Sequence, residues 1–61
     1  MNAHERIEEI IMLTNFKLWQ LASSKADSLY EDFIHDSIVY TEEDENTLFY
    51  LLGVIATALY G

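Results

Sequence analysis

Residues 48–60 read LFYLLGVIATALY, thirteen positions with no charged side chain and with apolar groups in nearly every direction around a helix. A helix that is apolar all round is stable only when it is buried all round. The whole chain has 61 residues, and a domain of that size buries only about 60% of the surface its unfolded chain exposes. Without cysteine it has neither a disulfide nor a thiolate metal site to staple it. Oligomerisation is the remaining common route to stability. An apolar fraction of 51% against a charged fraction of 23% excludes a disordered chain, despite a net charge of −8. What covers residues 48–60 therefore decides the fold.

Just before that run lies TEEDEN, residues 41–46, where Thr41 and Asp44 have the spacing of a capping box and four acids crowd a helix start. The pattern predicts a helix over 42–60, with Leu48, Leu51, Leu52, Ile55 and Leu59 as its core stripe and Gly53, Ala56 and Ala58 as small residues allowing close approach. At the other end, Asn2 and Glu5 form a second capping-box pattern. From there no proline occurs, and no glycine before Gly53, so the ordinary helix breakers are missing. Ile7, Ile11, Leu18, Ala22, Ala26, Leu29 and Phe33 draw one stripe, widened at its start by Ile10, Met12, Leu13, Phe16, Trp19 and Leu21. This predicts one long helix over 3–38, closed by the β-favouring Ile38, Val39 and Tyr40, with a turn at 39–41. Ser24 with Asp27 offers an alternative cap, and a break there would give a three-helix protomer.

The expected fold is thus a single all-α domain over 1–61, a long helix followed by a shorter antiparallel one. At 1.5 Å per residue the first helix would be about 54 Å long and the second about 28 Å, so a hairpin covers only half of the first. The uncovered half, from Ile7 to Leu21, is the widest part of the stripe. A second copy covers it most simply, which predicts a homodimeric helical bundle. Its interface would draw on Ile7, Ile11, Phe16, Leu18 and Trp19 of the first helix and Leu48, Leu52, Ile55 and Leu59 of the second. Phe16 and Trp19 also suit an aromatic anchor for a foreign partner, although self-association accounts for them more simply.

Eleven acids against three bases exclude direct nucleic-acid binding and disfavour anionic membranes. As a membrane anchor, the thirteen-residue run would span roughly 20 Å of a ~30 Å hydrocarbon core, with no flanking base, so an anchored protein is the lesser reading. No secretory signal is visible, and a cytoplasmic location is expected. Glu31, Asp32 and His35 have helical spacing suited to metal ligation, but the acids that other helices would supply are missing, and a solvated face fits better. His4 and Glu8 read as a surface pair. No arrangement of nucleophile and base, phosphate loop or cofactor motif is present, which predicts a protein without catalysis or cofactor.

Acids cluster at residues 5–9 and again at 27–45, while residues 10–26 contain none. Asp27, Glu31, Asp32, Asp36, Glu42, Glu43, Asp44 and Glu45 form a candidate surface for a basic protein, including a DNA-binding protein whose groove they would fill in place of phosphate. Such charge also keeps a small apolar protein soluble. With its NAHERIEEII start, TEEDEN turn and apolar tail, the chain resembles the small acidic helical accessory proteins of the lambdoid phage early region. That resemblance implies expression in an infected bacterial cytoplasm and a role in redirecting host processes or the choice between lysis and lysogeny. With the dimer expected from the helix lengths, the predicted function is that of a dimeric regulatory protein acting on a host or phage protein.

Overall fold

A computed structural model describes residues 1–61 as three α-helices and no strand: α1 (Ala3–Asn15), α2 (Trp19–Ile34) and α3 (Glu42–Tyr60). α1 begins at the expected box, with Asn2 Oδ1 accepting from the Glu5 N–H at 2.8 Å and Glu5 Oε1 accepting from the Asn2 N–H. It then ends after 13 residues, so the single helix expected over 3–38 is in fact two.

The break is made by the backbone. Lys17 adopts φ 60, the left-handed conformation that usually calls for glycine at a helix end. The Leu18 N–H donates to the Leu13 carbonyl and the Lys17 N–H to the Thr14 carbonyl, the paired bonds of a Schellman motif. α2 ends the same way: Asp36 has φ 54, while Ser37 donates to Asp32 and Asp36 to Phe33. A left-handed non-glycine residue costs about 1–2 kcal/mol. Folding α1 back buries Ile7, Ile10 and Leu13 almost completely, worth roughly 4–9 kcal/mol at the usual value per side chain. Burial exceeds strain, and the chain turns without glycine or proline.

The alternative break at Ser23 and Ser24 is not used either; both serines lie inside α2. Their neighbours Ala22 and Ala26 are fully buried, and a small side chain at each lets the other helices approach α2 closely. Ile38, Val39 and Tyr40 do not close a helix: residues 35–41 form the connection to α3. Within it the Tyr40 ring stacks on Phe33, with centroids 4.0 Å apart and planes 10° from parallel. α3 covers the expected 42–60, opened by a capping box in which Thr41 Oγ1 accepts from the Asp44 N–H at 3.1 Å and Asp44 Oδ2 accepts from the Thr41 N–H at 3.0 Å.

α1 runs antiparallel to α2, bringing Arg6 to Asp32, and parallel to α3, bringing His4 to Asp44. The protein measures 30 × 18 × 17 Å, which a 54 Å helix would not permit. Its core comprises eleven apolar side chains: Ala3, Ile7, Ile10 and Leu13 of α1, Ala22, Ala26, Leu29 and Phe33 of α2, and Leu48, Leu51 and Ile55 of α3. Three residues assigned above to a dimer interface, Ile7, Leu48 and Ile55, are thus inside the protomer, and Trp19, Leu52 and Leu59 pack half-buried against the core. The half-helix expected to need a partner is instead covered on one face, where α1 packs on α2 and α3, while Ile11, Met12, Phe16, Leu18 and Leu21 stay exposed.

Lys17→Gly should stabilise the fold by about 0.5–1 kcal/mol, seen as a higher urea midpoint with unchanged slope, whereas Lys17→Val should destabilise it. Equal midpoints for the two variants would show that the turn stores no strain.

Candidate functional site

The up-down-up order places the N-termini of α1 and α3 and the C-terminus of α2 at one end of the bundle. Each contributes acids: Glu5 and Glu8 from α1, Glu31, Asp32 and the following Asp36 from α2, and Glu42, Glu43, Asp44 and Glu45 from α3. Apart from Glu9 and Asp27, the two acidic clusters of the sequence, at 5–9 and 27–45, become one acidic end. Asp27 does not join it; it lies beside Leu52, Ala56 and Tyr60, near the other end of α3.

Few basic side chains answer this charge. Arg6, half-buried, donates to Asp32 Oδ2 and, at 3.2 Å, to Ser28 Oγ. His4 Nε2 lies 2.9 Å from Glu8 Oε1, as its spacing suggested, and Nδ1 lies 4.0 Å from Asp44 Oδ1. Lys25 pairs with Glu9 at 3.6 Å, away from the end. No basic side chain lies within 4.0 Å of Glu42, Glu43, Glu45 or Asp36. The α3 acids are stabilised by their position in the first turn of a helix, where unpaired N–H groups present partial positive charge.

The metal-spaced trio is divided. Glu31 and His35 meet at 3.3 Å on an exposed face, while Asp32 is engaged by Arg6. No group of three or more His, Asp or Glu side chains has the placement to hold a metal ion. The polar side-chain contacts are helix caps, a few ion pairs, the Arg6–Ser28 hydrogen bond and the Thr57–Gly53 bond within α3, and none converges on an enclosed cavity.

The second feature is apolar and carries no charge. Phe49, Tyr50, Gly53, Val54 and Thr57 line a shallow depression on the outer face of α3. It continues, through Tyr50 and Val54, into a groove of about 410 Å³ between α3 and α1 lined by Ile11, Thr14, Asn15, Thr47 and Leu51. Tyr50 is 71% exposed and Phe49 50%. The outer side of residues 48–60 is therefore not covered, contrary to the demand that this stretch makes on the fold. The helical wheel held that signal: α3 is apolar on more sides than two neighbours can reach. Phe16 and Trp19 separate, with Phe16 71% exposed at the α1–α2 turn and Trp19 packed on the core. Met12, Leu18 and Leu21 add to the exposed apolar surface at that end, opposite the acids.

The chain matches no protein-family model, no curated protein and no solved structure. No helix is long and apolar enough to cross a membrane.

Two outcomes follow from this surface. With so many acids facing one another, raising the salt concentration from about 10 to 150 mM should increase the thermal midpoint, because screening relieves more repulsion than the few ion pairs lose; a falling midpoint would contradict this. Thr14 Oγ1 is buried without a hydrogen-bond partner, so Thr14→Val should raise stability by about 1 kcal/mol in urea unfolding.

Proposed function

We propose that this chain is a small, non-catalytic regulatory protein that forms a homodimer and binds a basic surface of another protein through its acidic end. The observation that carries this reading is the convergence of three helix termini, which gathers acids distant in sequence while leaving Glu42, Glu43 and Glu45 without basic partners. Unpaired carboxylates on one face steer and orient a cationic partner more than they stabilise their own fold. In the setting that the phage resemblance implies, the partner is a host or phage protein in a bacterial cytoplasm, and a surface that otherwise holds nucleic-acid phosphate has the matching charge. Dimer formation draws on the exposed apolar surface, which is large for a protein with only eleven buried residues.

A labelled arginine-rich peptide is a suitable probe for titration. It should bind at low salt and weaken about tenfold or more in the Glu42→Gln/Glu43→Gln/Glu45→Gln variant, while Asp27→Asn, away from the acidic end, leaves binding unchanged. Equal weakening by both variants would indicate a diffuse charge effect and overturn the assignment. Light scattering should give twice the 7.1 kDa chain mass.

A further inference from the structure

We infer that two copies of this chain pair through the outer faces of α3, antiparallel, about a two-fold axis beside Gly53. The inference rests on the homodimer reading above and adds the interface and its orientation. On a chain of net charge −8, the depression around Gly53 and the groove beside it are lined by no charged residue, and Asp27, beside Ala56, is at the edge of this face. A basic partner has nothing to pair with there, whereas two like-charged copies can approach through such a face without bringing carboxylates together.

The protomer itself gives Gly53 no purpose. It lies in the middle of α3, where glycine is a poor helix former, and a Cβ added to it would meet no atom within 4 Å. A glycine with open space around it admits the backbone of another helix. Next to it, Thr57 Oγ1 donates to the Gly53 carbonyl at 2.9 Å, so the hydroxyl is satisfied within the helix. The anchors are also in place: the Phe49 ring is held by Tyr30 of α2, with centroids 6.1 Å apart.

Shape and charge then fix the direction. At 100° per residue, Phe49 and Tyr50 lie on one side of Gly53 along the axis, and Ala56 and Thr57 lie on the other, all facing outward. An antiparallel pair sets Phe49 over the partner's Ala56 and Tyr50 over the partner's Thr57, large against small. A parallel pair sets aromatic against aromatic and leaves a void where Ala56 faces Thr57. It would also bring together two helix starts that each hold four acids, which the antiparallel pair keeps about 30 Å apart. The dimer therefore presents its two acidic ends in opposite directions.

The full chain tests this in sedimentation equilibrium with two variants. Gly53→Leu enters open space in the protomer, so helicity by circular dichroism should be kept while dimerisation weakens at least about tenfold. Ala56→Tyr, which would meet the partner's Phe49, should act alike and serves if the first variant loses structure. A spin label at Glu43→Cys, in a chain with no other cysteine, should report a separation of about 30 Å or more across the dimer. A wild-type dimer unaffected by either folded variant overturns this interface and leaves the homodimer reading standing. A short label separation overturns the antiparallel orientation. A wild-type monomer at every concentration overturns the homodimer reading itself.

Discussion

The packing of Ile7, Ile10 and Leu13 against α2 and α3 is the interaction on which the rest of the structure depends. These side chains reach the core only if the chain reverses between Asn15 and Trp19, and the reversal requires a left-handed lysine. Neither side of it is strongly specified locally. Phe16 is no special cap for α1, and Leu18 begins α2 without a side-chain hydrogen bond. The turn is imposed by what it allows to be buried: several kcal/mol of apolar contact outweigh one strained residue. With no polar residue among the core side chains, no hydrogen-bond network sets the register, and the size of the side chains must do so. Ala22 and Ala26, completely buried, set how near α1 and α3 come to α2.

The same reversal determines the electrostatics. Had residues 3–38 formed one helix, the acids at 5–9 and those at 27–45 would sit at opposite ends of a rod. Folding α1 back brings both to one end, where Arg6 bridges α1 to α2 and His4 lies between Glu8 and Asp44. A half-buried arginine is well used there, because its planar fork serves Asp32 and Ser28 together. Glu42, Glu43 and Glu45 gain from the partial charge of their own helix start and have no basic side chain beside them. The result is a protein with a carboxylate-rich end and an apolar opposite end, only 30 Å apart.

Much of this was legible in the sequence and one part was not. Both capping boxes, the start and length of α3, and the α2 stripe of Ala22, Ala26, Leu29 and Phe33 follow from local chemistry and helical spacing. The break at Lys17 does not, because the residues that usually mark a helix end are absent and the cause is tertiary. Its spacing held a quieter signal. Ala3, Ile7, Ile10 and Leu13 make a complete stripe of their own, whereas continuing through Ile11 to Leu18 selects a face that the protein leaves largely outside. Reading one helix where there are two also assigned to a partner residues such as Leu48 and Ile55, which the protomer buries in its own core.

The outer side of α3 is where the small core leaves apolar surface unused. Eleven buried side chains make a small core for 61 residues, and every exposed aromatic on α3 is surface that the protomer alone cannot use. Carboxylates gathered at one end oppose compaction, and few buried side chains are set against them. Association through the uncharged face of α3 adds buried area without adding carboxylate contacts, so in the proposed dimer the acidic ends and the apolar face are complementary features. Folding is then linked to association: anything that binds only the folded form stabilises it, and a second copy is such a ligand. In the proposed dimer, stability rises with the chain's own concentration, and the acidic ends are presented in pairs only once enough of it has accumulated.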